Sequence, residues 1–184
     1  MNRTVIGLVG ELASGKGTVA EYIQKKTHAS QARFSQLLLD VLNRLALKTN
    51  RENFSALAQA LRKTFGKDVI GKALKNDIAH LKETVTLIDG IRIKQDVETF
   101  RQFKKFSVIY VTADEKIRYN RMKNRGEKAG EREMTFRQFL KQQKLPTERQ
   151  IKAIGGKADF TVTNNGTLKE LHAQIDAILT KILP

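Results

Sequence analysis

Residues 10–18, GELASGKGT, combine glycines, one lysine and small side chains between an apolar segment and a predicted helix. Gly10, Gly15 and Lys16 match the pattern G-x-x-x-x-G-K in the strand-to-helix context that it requires. Backbone N–H groups of such a loop turn around phosphate oxygens, the helix N-terminus attracts negative charge, and the lysine adds a point charge. The alternative is a glycine-rich turn with a surface lysine. We predict that Lys16 is catalytic and that the ATP-binding residues are Gly10, Ala13, Ser14, Gly15, Lys16, Gly17 and Thr18.

Two arginines, Arg121 and Arg125, lie four residues apart on one face of a predicted helix, and Arg118 precedes them by three. Like charges at this spacing repel each other by roughly 0.2–0.5 kcal/mol. An anion between them would remove the repulsion, so we expect Arg121 and Arg125 to bind a negatively charged group. The alternative is a solvated basic helix face.

The segment IDGIR, residues 88–92, places Asp89 at the predicted carboxyl end of a strand. Open parallel sheets bind their ligands at that edge, so we predict that Asp89, together with Thr18, binds Mg²⁺, directly or through water. The alternative is a turn aspartate before Gly90. Arg92 stands at a helix start, where its charge opposes the helix dipole, which indicates an anion nearby; the alternative is a surface residue.

The apolar pattern predicts strands that alternate with helices. The strand segments are RTVIGLVG, QARFS, TVTLIDG, FSVIYVTAD and ADFTVTN. Because alternating strands and helices imply right-handed crossovers, we predict an α/β protein with the three-layer α/β/α fold of P-loop NTPases around a five-stranded parallel sheet. The expected organisation is one domain, 1–184, with a core of residues 1–34, 83–125 and 148–184, a helical acceptor-binding region 35–82 and a lid 126–147.

Residues 126–147 lack a strong apolar stripe, and the stretch from Lys116 to Lys152 carries twelve Lys or Arg against four Glu. We therefore expect a mobile lid, with Arg132 and Arg149 as further phosphate ligands or as ordinary exposed cations. In the helical region, Arg62 lies beside the stripe of Leu57, Leu61 and Phe65, a position from which it reaches into a cleft or covers the edge of the core.

Several of these segments resemble the P-loop nucleotide kinases, over nearly the whole chain. GKGT is similar to nucleoside monophosphate kinases, whereas ASGK is similar to dephospho-CoA kinases and cytidylate-type kinases. IDGIR resembles a strand-end segment of these kinases, and ALRKTFG resembles the acceptor-side helix of the superfamily. RMKNR resembles the start of the kinase lid, where arginines close over the transferring phosphoryl group, which implies this catalytic role for Arg121 and Arg125. ADFTVTNNGTLKEL is similar to dephospho-CoA kinases. The resemblance implies that Arg62, Asp89 and Arg92 bind the acceptor, with Arg92 on its phosphate. It also implies that RMKNR opens the lid and that Asn164 and Gly166 lie beside the ATP base; the alternative for these two is an ordinary turn before a helix capped by Thr167.

Composition limits the function classes. The 184 residues include no cysteine, which excludes a disulfide framework and thiolate metal sites and is typical of a cytoplasmic protein. No apolar run approaches the roughly 20 residues of a membrane span, and no signal peptide is evident at the N-terminus. The net charge of +15 favours anionic partners.

We predict a phosphotransferase that uses ATP and Mg²⁺ to phosphorylate a small acceptor that itself carries a phosphate, a (deoxy)nucleoside monophosphate. Dephospho-CoA is the alternative, although the acidic motif that those kinases usually carry after the second strand is missing from ARFSQLLLD. An alternative of another class, motivated by the charge, is a P-loop ATPase that binds nucleic acid. No membrane partner is expected, and the chain is predicted to act as a monomer or as an oligomer whose order the sequence does not specify.

Overall fold

The chain forms a parallel sheet at whose centre lies the strand that leads into the glycine-rich loop. The computed structural model describes residues 3–126 and 131–183. Within them the sheet order is β2-β3-β1-β4-β5, and every pair of neighbours is parallel. The strands are β1 Thr4–Gly10, β2 Ser30–Arg33, β3 Val85–Asp89, β4 Lys105–Thr112 and β5 Phe160–Thr163. The predicted five-stranded parallel sheet is confirmed.

Helices follow the strands and cover both faces of the sheet. They are α1 Lys16–Thr27, α2 Phe34–Arg44, α3 Arg51–Phe65, α4 Val69–Ala79, α5 Lys94–Phe100, α6 Glu115–Arg125, α7 Phe136–Gln142, α8 Pro146–Gly155 and α9 Leu168–Ile182. The last of these begins with a capping box, in which the Thr167 side chain accepts from the backbone N–H of Glu170 and the Glu170 side chain accepts from that of Thr167.

The alternation of side chains along β1 creates two cores. Val5 and Val9 point to one face, and Ile6 and Leu8 to the other, all four fully buried. On the first face they pack with apolar residues of α2, α4, α5 and α8, and on the second with residues of α1 and α9. The three-layer α/β/α arrangement is therefore present, and helices exclude solvent from both faces of β1.

The helical region predicted for residues 35–82 consists of α2, α3 and α4 on the first face. Its predicted apolar stripes are largely confirmed, since Leu38, Leu42 and Leu74 are buried. The stripes extend too far at their ends. Leu45 is 57% exposed and Phe65 is 67% exposed, at the ends of α2 and α3, which finish at Arg44 and Phe65.

The predicted lid, residues 126–147, includes α7, and residues 127–130 of it lie outside the described part of the chain. The expectation that apolar contacts do not hold this segment is wrong. Phe139 is fully buried, with its ring centroid 5.8 Å from that of Tyr119 on α6. Phe136 contacts the same Tyr119 ring at 5.2 Å, so two aromatic side chains pack α7 against α6. The mobility of the lid stays a prediction. In the described residues, no helix combines the length and the apolar character that crossing a membrane requires.

Phe100, at the end of α5, is central to the first core. It is fully buried and contacts three other rings, of Phe34, Phe103 and Phe106. We expect Phe100→Ala to lower the free energy of unfolding by about 3–5 kcal/mol, because the cavity that it leaves adds to the lost burial. Phe65→Ala is the matched control, expected to change stability by less than about 0.5 kcal/mol. Chemical denaturation of both variants checks this, and equal effects would contradict the described core.

Candidate active site

The glycine-rich loop connects β1 to α1 in a conformation with two left-handed residues. Ala13 has φ 59° and Gly15 has φ 93°, and the Ser14 N–H donates to the Glu11 carbonyl at 3.1 Å. Helix α1 begins at Lys16 without a side-chain cap, so the N–H groups of its first turn remain available for an anion. This is the geometry of a phosphate-binding loop.

Asn164, directly after β5, is hydrogen-bonded to the backbone of the loop. Its Nδ2 donates to the Ser14 carbonyl at 2.9 Å, and a Cβ on Gly15 would overlap that amide nitrogen. Arg121 of α6 holds Asn164 in turn, donating to its carbonyl at 2.9 Å and to its Oδ1 at 3.3 Å. The structure therefore brings the predicted residues Asn164 and Arg121 together at the loop. The role predicted for Arg121, on a transferring phosphoryl group, stays a prediction.

Lys16 and Asp89 form an ion pair across the end of the sheet. The parallel register pairs Leu8 of β1 with Asp89 of β3, which places the carboxylate beside the loop that begins two residues later. Both side chains are about a quarter exposed, 27% and 26%, so the pair lies at the surface of the site.

The side chains near Lys16 include the oxygen donors that Mg²⁺ prefers. Asp89 supplies a carboxylate, and Thr18, in the first turn of α1, supplies an exposed hydroxyl. Mg²⁺ usually takes one or two protein oxygens and completes its shell with phosphate and water, so this donor set fits the ion. Its binding by Thr18 and Asp89 stays a prediction.

Arg118, which sequence reasoning did not select, is the most deeply buried charged residue of the site. Its side chain is 1% exposed, and it contacts the loop, the end of β4 and the α7 segment. Its Nε donates to the Ala113 carbonyl at 2.9 Å, and its NH1 donates to the Leu12 carbonyl at 3.3 Å and to Gln143 Oε1 at 2.9 Å. The spacing of Arg118 and Met122 was a signal in the sequence, because residues four apart share one face of a helix. Met122 is fully buried, so that face of α6 points inward.

Glu11, the second residue of the loop, is the acidic partner in this buried region. It is 6% exposed, and its Oε1 lies 3.8 Å from Arg118 NH2. Burial raises the pKa of the neighbouring Tyr110 to about 12, and the Glu11 carboxylate adds to that shift. A cavity of about 740 Å³ adjoins these residues, lined by Glu11, residues 112–118, Phe136 and Lys152.

The other predicted residues lie in separate places. Arg125 pairs with Glu131 at 3.1 Å, at the start of the described lid. Gly166 lies against the Glu170 carboxylate of the α9 capping box. Arg92 is exposed, and no ion pair of this residue occurs within residues 3–126 and 131–183. Binding of ATP by Gly166 and of an acceptor by Arg92 stay predictions.

Arg62 forms a two-pronged ion pair with Asp96 of α5, at 3.2 and 2.9 Å, and also donates to the Lys67 carbonyl. These contacts join α3 to α5, away from the loop. The Asp96 side chain is only 1% exposed, so the pair holds α3 of the helical region against α5, which follows β3. A contact between Arg62 and an acceptor stays a prediction.

Comparisons with known proteins place the family and the fold of the chain. The model of the family described as AAA domain matches residues 6–143. A UPF0200 protein of Methanoculleus marisnigri is 31% identical over 179 residues, which cover 97% of this chain and 96% of that protein. A UPF0200 protein of Sulfurisphaera tokodaii is 26% identical over 181 residues, covering 97% of each.

Solved structures show the same fold at low identity. TT1252 from Thermus thermophilus superposes with a TM-score of 0.65 at 16% identity, covering all of both chains. Shikimate kinase from Acinetobacter baumannii, solved in complex with shikimate, superposes with a TM-score of 0.52 at 17% identity, covering 98% of this chain and 93% of that one. The chain has a P-loop kinase-like fold, and such a fold implies nucleotide binding.

Gly15→Ala tests the packing of the loop against Asn164. The new Cβ overlaps the Asn164 amide and the residue retains a positive φ, so we expect a loss of about 1–3 kcal/mol of unfolding free energy and weaker ATP binding. Gly17→Ala is the stability control, because a Cβ there has open space and lies in α1. Thermal unfolding and ATP titration compare the two, and equal stability losses would refute the tight contact at Gly15.

Arg62→Met tests the buried ion pair through its pH dependence. Burial raises the pKa of Asp96, and the hydrogen bonds and charge of Arg62 partly offset this rise. Without Arg62 the pKa of Asp96 therefore rises further. A carboxyl whose folded-state pKa exceeds its unfolded value binds more protons when folded, and stability then increases as the pH falls. We expect a loss of about 1–3 kcal/mol near neutral pH, less than the roughly 3–5 kcal/mol of fully buried pairs.

That loss should shrink as the pH falls from about 7 to about 5, because a protonated Asp96 needs no partner. Denaturant melts across this range, with Arg92→Met as the exposed control, measure it. A loss that stays constant with pH would mean that Asp96 does not carry the effect.

Proposed function

The chain belongs to the UPF0200 family and to the AAA domain family of P-loop proteins, and from this premise we propose that it is a kinase that transfers the γ-phosphoryl group of ATP to a phosphorylated small molecule. The observation that carries the proposal is the pairing of Lys16 with Asp89 at the ends of neighbouring parallel strands. A lysine on a phosphate-binding loop next to a strand-end carboxylate provides what phosphoryl transfer requires, namely positioning and charge.

The acceptor that we propose first is a (deoxy)nucleoside monophosphate. A hydroxyl acceptor must lose a proton during transfer, whereas a phosphate acceptor is already ionised and requires no base. Strand β2 ends at Arg33, and α2 starts at once with Phe34, so β2 itself contributes no carboxylate, and the neighbouring Asp89 of β3 is paired with Lys16. A cavity of about 740 Å³ lies beside the loop, and its size suits a nucleotide.

Dephospho-CoA remains the second candidate, and one observation favours it. The turn of residues 164–166, through which the chain resembles dephospho-CoA kinases, makes direct contact with the rest of the site. Asn165 Oδ1 accepts from the backbone N–H of Asp114 at 2.8 Å, and Asn164 binds the loop.

In the proposed reaction the protein positions charge around the transferring group and forms no covalent intermediate. Lys16 leaves Asp89 for the β- and γ-phosphates, and the backbone N–H groups of the loop hold the β-phosphate. Arg121 and Arg125 stabilise charge on the equatorial oxygens, after exchanging their present partners for phosphate. Mg²⁺, held by Thr18 and Asp89, would neutralise phosphate charge when bound.

The decisive experiment is an ADP-release assay over nucleoside monophosphates, deoxynucleoside monophosphates and dephospho-CoA. We expect acceptor-dependent ADP release with one class of acceptor. Lys16→Ala should abolish that release, because its charge is required mainly by phosphate, and should leave the far-UV circular dichroism spectrum unchanged. Turnover of Lys16→Ala near the wild-type rate would exclude the assigned donor site.

The same assay separates a kinase from an ATPase that binds nucleic acid. The net charge of +15 motivates this comparison, and the added component is single-stranded or double-stranded RNA or DNA. ADP release that rises with nucleic acid and needs no acceptor would overturn the proposed kinase activity.

A further inference from the structure

Arg118 links three parts of the chain that are distant in sequence. Its partners are the loop after β1, the junction of β4 and α6, and the segment after α7, through polar contacts with Leu12, Glu11, Ala113 and Gln143. Its guanidinium also lies over the Phe139 ring, 5.5 Å from the ring centroid. A guanidinium has a fixed fork of five N–H donors, so one rigid group sets the relative positions of all three parts.

The contact with the Leu12 carbonyl determines how the loop presents its N–H groups. In a planar trans peptide the C=O and the following N–H point in opposite directions. Because Arg118 holds the Leu12 carbonyl, the Ala13 N–H is directed to the opposite side. Asn164 acts in the same way on the peptide between Ser14 and Gly15. It binds the Ser14 carbonyl, so the Gly15 N–H is directed to the opposite side.

We propose that Arg118 is a positioning residue, which fixes the phosphate-binding loop and makes its shape depend on the α7 segment through Gln143. The inference deepens the proposed function and rests on it only where ATP binding is concerned. Arg118 does not touch the reacting atoms; it acts through the peptide of Leu12. The α7 segment reaches the loop through this side chain, because Gln143 and Phe139 both contact Arg118.

The network around Arg118 is not fully hydrogen-bonded. Gln143 Nε2 and Glu11 Oε2 are buried and have no hydrogen-bond partner among the described residues. An unpaired buried donor lowers stability, so replacing Gln143 with methionine removes one favourable bond and one unpaired donor together. We therefore expect Gln143→Met to fold with near wild-type stability, which makes it a clean test of the link.

The matched control is Gln142→Met. It is the same substitution one residue earlier, on a side chain for which no hydrogen bond occurs in the described part of the chain. Arg118→Lys is the second test variant. It keeps the positive charge near Glu11 but carries its donors on one nitrogen, and so does not reproduce the separate Nε and NH1 positions that reach Ala113, Leu12 and Gln143. A loss in this variant therefore reports geometry and not charge.

The first readout is hydrogen exchange of the protein without nucleotide. Gln143→Met and Arg118→Lys should exchange faster than Gln142→Met in the peptide that covers residues 11–16, while strands β3 and β4 keep their rates. A general loss of stability would instead accelerate the whole sheet. Unchanged exchange of residues 11–16 in both test variants would overturn the proposal.

The second readout is ATP affinity by calorimetry. We expect ATP to bind about threefold to tenfold more weakly to Gln143→Met than to Gln142→Met, the range of coupling through such networks, although Gln143 does not contact the loop directly. Equal affinities would overturn the link to α7. If the loop exchanges faster in the variants but ATP binds to none of the proteins, the positioning role stands and the proposed kinase activity fails.

Discussion

The parallel pairing of β1 between β3 and β4 is the constraint on which the site depends. Both faces of β1 are buried, so a shift of its register would expose apolar side chains on two sides at once. With the register fixed, Leu8 stands opposite Asp89 and Gly10 stands opposite Val111. The glycine-rich loop, the strand-end carboxylate and the start of α6 therefore lie at one edge of the sheet. Their side chains come together there although they are far apart in the sequence.

Two ion pairs with buried carboxylates hold helices in place, Arg118 with Glu11 at this edge and Arg62 with Asp96 between α3 and α5. Arg118 and Glu11 are nearly inaccessible, as is Asp96, the partner of Arg62. Removing charges from water costs several kcal/mol per ion, which the pair recovers only with good geometry and further hydrogen bonds. Arg118 makes such bonds to backbone carbonyls and Arg62 makes two to one carboxylate. We infer that these pairs contribute more to the unique placement of helices than to the free energy of folding.

The sequence was sufficient to predict the features that depend on local pattern. The central strands β1, β3 and β4 follow from their apolar runs, and the phosphate-binding loop follows from the spacing of Gly10, Gly15 and Lys16 after a strand. Features that depend on contacts between distant residues were missed. Arg118 binds the carbonyl of Leu12, 106 residues away, and Arg62 binds Asp96, 34 residues away. A basic residue that completes a buried network has the same local sequence as a solvated one, and Phe136 and Phe139 pack α7 against α6 without a periodic pattern.

The loop is held in its shape by the protein itself. Ala13 has a positive φ although it carries a Cβ, a conformation that costs roughly 1–2 kcal/mol for an L-residue. Asn164 and Arg118 hold the carbonyls on either side of Ala13, and Arg121 holds Asn164. All of these bonds lie within the protein, so the fold itself constrains the loop. Ordering a binding site at the moment of association reduces affinity. Because three side chains outside the loop already constrain it, phosphate binding has less ordering entropy to overcome. The small residues of the loop itself then remain free to face the phosphate.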